Sequence, residues 1–155
     1  MFLVIMIIAL VALDQVSKLM IINNVEVGEK IPVINDFFYI THHKNEGIAW
    51  SLLENKGYIF IPITIIVTVV LSYMIYKNKE KLFRISLAVI LSGAIGNLID
   101  RLFLGSVTDF FEFHFGSYVF PVFNVADICV VLGSVALVIF VLFFYDEEQD
   151  KIKLK

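Results

Sequence analysis

Three aspartates, Asp100, Asp109 and Asp127, share the stretch 93–127 with Asn97, Arg101 and Asn124. Each end of that stretch runs into an apolar segment long enough to cross a bilayer. Charged groups at such depth cost roughly 2.5–3.5 kcal/mol each on insertion scales, so a functional site is their default reading. Two carboxylates in one low-dielectric pocket do not both ionise easily. One pKa rises, and the pair holds a single proton. One member can then take a proton from water while the other gives one to a substrate carbonyl. That is general acid–base hydrolysis of an amide with no covalent intermediate. Asp109 and Asp127 are the candidate pair, joined by a segment containing Gly116 and Pro121. Asp127 also suits a helix cap, where a carboxylate meets free N–H groups. Asp100, beside Arg101, reads instead as half of a structural ion pair.

Other chemistries have weaker support. His42, His43 and His114 fall in no HExxH or spaced Cys/His pattern, so no metal and no cofactor is expected. Ser92 and Ser106 have no evident base nearby in sequence, and Cys129 has neither a histidine nor a cation beside it. Phe110, Phe111 and Phe113 read as core or lipid contacts. The net charge is −3 with no long basic run, which argues against nucleic acid as a partner. A single cysteine allows no disulfide within the chain.

The elements that must position these residues follow from the apolar blocks. Of 155 residues, 59% are hydrophobic and 17% charged, and the excess over a soluble domain lies in long runs. Four spans are expected, at about 2–22, 58–76, 82–104 and 123–145, within a single integral membrane domain covering 1–155. The first span begins without a basic n-region or a small-residue cleavage site, so it reads as a retained helix. Asp14 and Lys18, four residues apart, share a face of it, and an intrahelical ion pair is the plain structural explanation. Gly93, Asn97 and Arg101 fall on one face of the third span, where Gly93 and Gly96 allow close approach of a neighbour.

Two polar regions, about 23–57 and 105–120, separate the spans. Turn formers frame an aromatic, β-branched run at Phe37–Thr41, which predicts a short strand in a small sheet on the membrane surface. Residues 105–120 read as a short loop carrying Asp109. Trp50 and Tyr58 suit an interface. The cluster Lys77, Lys79, Lys81 and Arg84 marks a cytoplasmic loop, which places both termini inside and the two polar regions outside. The charged tail 146–155 reads as a solvated end. On this topology Asp14 and Lys18, Asn97 to Arg101, and Asp127 all lie near the outer surface.

With those residues in place, the sequence resembles the bacterial lipoprotein signal peptidases (type II signal peptidases) over nearly its whole length. The matching motifs are Asp14-Gln15-Val16-Ser17-Lys18, Asn45-Glu46-Gly47-Ile48-Ala49-Trp50, Gly93 to Arg101 with Gly105 to Phe110, and Phe123-Asn124-Val125-Ala126-Asp127. The resemblance implies an all-α bundle of four transmembrane helices with a small extracytoplasmic β-sheet platform. It implies an aspartyl endopeptidase of the bacterial cytoplasmic membrane, its site near the outer face. Substrates would be prolipoproteins carrying diacylglycerol on a cysteine, cut on the N-terminal side of that cysteine. Asp109 and Asp127 would be the catalytic pair. Asp14, Lys18, Asn45, Gly93, Asn97, Arg101, Asn124 and Ala126 match positions that shape or support the site. Membrane lipid and globomycin-like cyclic peptide inhibitors are the other implied partners, and a monomer is expected. The alternative from another class is a small proton-coupled transporter or ion-binding membrane protein. It predicts mid-membrane carboxylates and inverted repeats, and the sequence has no visible repeat.

Overall fold

The protein is described by a computed structural model covering residues 1–47 and 57–145. Four helices, α1 (Phe2–Asn24), α2 (Gly57–Lys77), α3 (Lys81–Leu104) and α4 (Val125–Phe143), are long and apolar enough to cross a membrane. The burial pattern is the reverse of a soluble bundle. In α1 the only buried residues are Asp14 and Lys18, whereas Ile5, Ile8, Leu13, Val16 and Met20 are exposed. Apolar side chains thus face outward and the charged ones face the bundle interior, the arrangement hydrocarbon surroundings favour.

Helix α3 is central and packs against the other three. Small residues bring it close to α4 and α1. A Cβ on Gly93 would lie 2.2 Å from the carbonyl oxygen of Ala126, and one on Gly96 would lie 2.5 Å from Asp14 Oδ2. Gly133 on α4 returns the fit, with Ser86 O only 2.8 Å from where its Cβ would stand. Ala88 and Ala126 are fully buried in the same seam. Backbone contact at this range is the small-residue packing that membrane helices use in place of a hydrophobic drive.

An antiparallel sheet of order β1-β2-β3-β4 lies at the end of the bundle where α1 and α3 finish and α4 starts: β1 (Lys30–Ile34), β2 (Phe38–Asn45), β3 (Val107–Phe115) and β4 (Tyr118–Val119). The expected strand at Phe37–Thr41 is realised as the longer β2. The segment expected as a loop at 105–120 is instead β3, a tight turn and β4. Its run Val107-Thr108-Asp109-Phe110-Phe111-Glu112-Phe113 is β-branched and aromatic, and its strand character is set by pairing with β2, some 70 residues earlier. Phe38 stacks on Phe113 at 4.6 Å, and Phe113 on Phe123 at 5.9 Å, which ties sheet to α4. Ile48, Ala49 and Trp50, the Tyr58 side chain and the tail 146–155 lie outside the described residues.

Candidate active site

Two local features place Asp109 beside the start of α4. The N–H groups of Phe110 and Phe111 both donate to the carbonyl oxygen of Phe123, at 3.0 and 2.9 Å, and Phe123 N–H donates back to Phe111 O at 3.2 Å. The residue before Phe110 is therefore held against the residue after Phe123, and Asn124 Nδ2 donates to Asp109 Oδ1 at 2.6 Å. On the sheet, His43 is opposite Asp109 in register, and Asn45 is two residues further along β2 on the same face. From there Asn45 Nδ2 donates to Asp109 Oδ2 at 2.9 Å, and its own Oδ1 accepts from Gly47 N. Asp109 thus lies on a strand, not in a loop.

Asp127 is placed by the helix it begins. Asn124 is the N-cap of α4, and its Oδ1 accepts from Asp127 N at 2.9 Å while Asp127 Oδ2 accepts from Asn124 N at 3.2 Å. This reciprocal capping box satisfies N–H groups that a helix start leaves open. Capping occupies only one carboxylate oxygen. The other, Oδ1, accepts from Asn97 Nδ2 at 2.8 Å. Asn124 Nδ2 also reaches Asn97 Oδ1 at 3.1 Å, so two asparagine amides connect the two candidate aspartates into one network.

Beneath it is a second, ionic layer. Lys18 Nζ is 2.9 Å from Asp14 Oδ2, 3.2 Å from Asp100 Oδ2 and 3.0 Å from Asn97 Oδ1, and Lys18, Asp14 and Asp100 are each at most 2% exposed. Asp14 Oδ1 accepts from Ala126 N at 2.8 Å, and Asp100 Oδ2 from Thr108 N at 2.9 Å. A buried charge persists only when paired and fully hydrogen-bonded, and every oxygen here has a donor. The expected Asp14–Lys18 pair is present, but it is part of this larger cluster. Asp100 corrects the reading of the sequence: its ion-pair partner is Lys18 on α1, not Arg101. Arg101 instead sends Nη1 to Asn97 O at 3.4 Å and sets its guanidinium 5.5 Å from the centre of the Phe60 ring on α2.

Gln15, part of the Asp14–Lys18 motif but given no role on sequence grounds, has one in the structure. Its Nε2 lies within 3.1 Å of Asp14 Oδ2 and of Gly96 O, and 2.9 Å from Asp100 Oδ1, so it ties α1 to α3. The available signal was an amide next to an intramembrane aspartate. The histidines have other duties: His42 Nδ1 bonds Val25 O at 2.9 Å, and His114 Nε2 meets Glu112, which also pairs with Lys30. Burial would raise the Glu112 carboxyl, but its bonds to Lys30 and His114 hold it below the ordinary range. Among the described residues no cluster of three or more His, Cys, Asp or Glu is arranged to hold a metal ion.

Electrostatics set Asp109 apart from an ordinary carboxyl group. Burial, and then the nearby charge of Asp127, push its pKa up to about 7, against the opposing pull of the Asn45 and Asn124 hydrogen bonds and of Lys18. A carboxyl group that titrates near neutrality can donate a proton where an ordinary one cannot. The site therefore offers a proton donor and a second carboxylate within one hydrogen-bonded frame. A pair of this kind can take a proton from water and give one to a carbonyl, the acid–base chemistry of amide hydrolysis.

Comparison with known proteins agrees with this geometry. The family model described as Signal peptidase (SPase) II matches residues 6–143, which include every residue of the site. The lipoprotein signal peptidases of Listeria monocytogenes serotype 4a (strain HCC23) and Listeria innocua serovar 6a are each 44% identical over 145 residues, covering 92% of this chain and 93% of theirs. Two solved bacterial membrane enzyme structures, determined by the in meso method at 2.3 and 1.9 Å, superpose with TM-scores of 0.84 and 0.83. They are 34% and 33% identical, covering 91% and 93% of this chain and 87% and 94% of theirs. This likeness favours a peptidase over the proton-coupled transporter. The chain belongs to the signal peptidase II family and is an aspartic-type peptidase built on four helices fit to cross a membrane.

Proposed function

We propose that this enzyme removes the signal peptide from diacylglyceryl-modified prolipoproteins, cutting on the N-terminal side of the lipidated cysteine with Asp109 and Asp127 as its catalytic dyad. The observation that carries this reading is the hydrogen-bonded frame of Asn97 and Asn124 joining the two aspartates. Asp127 takes a proton from water, whose oxygen adds to the scissile carbonyl carbon. Asp109 gives its proton to the carbonyl oxygen. Collapse of this gem-diol breaks the C–N bond: one hydroxyl returns its proton to Asp109 as the carboxylic acid forms, and the proton held by Asp127 leaves on the amine. The assignment of base to Asp127 rests on its place in the first turn of α4, where N–H donors meet a carboxylate. The assignment of acid to Asp109 rests on its neutral-range titration.

The remaining residues hold this pair in position. Asp14 and Lys18 anchor Asn97 and the Ala126 amide, Asn45 orients Asp109, and Gly93 lets α3 reach Ala126. Arg101, between the dyad and α2, borders the substrate groove. The sheet forms the extracytoplasmic platform, the site opens near the outer face of the bacterial cytoplasmic membrane, and both termini are cytoplasmic. The unit is a monomer in which 1–155 form one domain, and globomycin-like cyclic peptides occupy the substrate groove. The test incubates purified enzyme with one precursor in diacylglyceryl-modified and unmodified forms and measures product masses. The expected result is a single cut before the modified cysteine. Equal cleavage of both forms, or a cut elsewhere, overturns the proposal.

A further inference from the structure

At the end of the bundle away from the aspartates, a cleft of about 450 Å³ lies among the start of α1, the end of α2 and the start of α3. Arg84, which lines it, precedes Asp100 by 16 residues on α3, about 24 Å at 1.5 Å per residue. Its walls are apolar, with Phe2, Ile7, Ile75 and Ile85, and its cations are Lys79, Lys81 and Arg84. With Glu80 counted, the cluster stays net positive. The positive end of the α3 dipole points the same way. A basic loop by itself would only report orientation. Two further observations point to a ligand: the cations gather at the mouth of a cleft, with Lys79 and Lys81 exposed and Arg84 half-buried, and the Arg84 Nε is buried without a hydrogen-bond acceptor among the described residues. A buried donor of this kind is rare and calls for a partner.

We propose that this cleft binds an anionic phospholipid, its phosphate among Lys79, Lys81 and Arg84 and an acyl chain along Ile7, Ile75 and Ile85. The apolar walls select a lipid over a soluble anion, because inorganic phosphate leaves them uncovered. The three cations select an anionic headgroup over a zwitterionic one, whose own ammonium opposes them. The site lies at the end of the bundle away from the dyad, so its occupancy does not depend on the cleavage reaction.

The experiment titrates phosphatidylglycerol, phosphatidylcholine or inorganic phosphate into detergent-purified protein and counts bound adducts by native mass spectrometry. The expected result is retention of phosphatidylglycerol, reduced roughly fivefold by each of Lys81→Gln and Arg84→Gln. Lys44→Gln, an exposed cation on the sheet, should leave it unchanged. Lys79→Gln, also exposed, serves as a further test should Arg84→Gln fail to fold. Cleavage activity in detergent free of anionic lipid should be the same in the Lys79, Lys81 and Arg84 variants as in the parent protein. Equal retention of phosphatidylglycerol and phosphatidylcholine overturns the proposal, as do undiminished retention by the Lys79, Lys81 and Arg84 variants and displacement of lipid by millimolar phosphate.

Discussion

Asn124 bonds both Asp109 and Asp127, and Asn97 links Asn124 to Asp127, so the two aspartates should fail together. Asp109→Asn and Asp127→Asn should each lower turnover by several orders of magnitude, and the double variant should be little worse than either, because residues that act as a unit are non-additive. Timed cleavage of lipidated substrate by folded variants checks this, and near-normal turnover by either single variant removes the dyad. The pH dependence follows from Asp109. The acid role proposed for it requires the proton, which it loses above about pH 7, so kcat/KM should fall on the alkaline side of that value. Loss of the base on the acid side completes a bell. The apparent values belong to the coupled pair. Stability has the same sign. A carboxyl with a folded pKa above its unfolded value contributes stability below the unfolded pKa and loses it as pH rises to about 7. The thermal midpoint should therefore drop between pH 4 and pH 8, and Asp109→Asn should show a smaller drop.

At the scale of elements, the site is a meeting of two strands with three helices, and the α3–α4 seam sets its width. Gly93→Ala would place a methyl 2.2 Å from Ala126 O, directly behind the first turn that carries Asp127. Overpacking of this kind costs about 1–3 kcal/mol. The variant should melt several degrees lower and lose most of its activity, whereas Gly28→Ala, with open space around it but a positive φ of 84°, should lose stability with activity nearly intact. Circular dichroism melts and cleavage assays separate the two. The helices were legible in the sequence because each is a long apolar run, and the polar residues stood out against it. Asp14, Lys18, Asn97 and Asp127 therefore drew attention without a structure. The strand β3 did not, since its pairing with β2 depends on a register set some 70 residues away. Nor did the Asp100–Lys18 pair, because the neighbour in sequence, Arg101, was the nearer candidate. Gln15 was hidden by an ordinary appearance, and only the close approach of α1 and α3 reveals its bonds.

For the whole molecule, the basic loop between α2 and α3 predicts an orientation with both termini inside. A cysteine introduced by Glu46→Cys should react with an impermeant maleimide in intact cells, and one introduced by Asn78→Cys should not. The native Cys129 is buried and should stay silent. The reverse pattern would invert the topology. The ionic layer also bears on how the chain is made. Lys18 finds Asn97 79 residues later in the sequence, and Asp100 comes three residues after that. At roughly 5–20 residues per second, a ribosome needs about 4–16 s to supply those partners. For that interval α1 is in the bilayer or the translocon with its only companion for Lys18 being Asp14, on its own turn. The nascent chain is then open to quality-control proteolysis until α3 arrives. A chain ending at Lys77 should be degraded several times faster in a pulse-chase than the full-length protein, and Asp14→Leu with Lys18→Leu in that short chain should restore its lifetime.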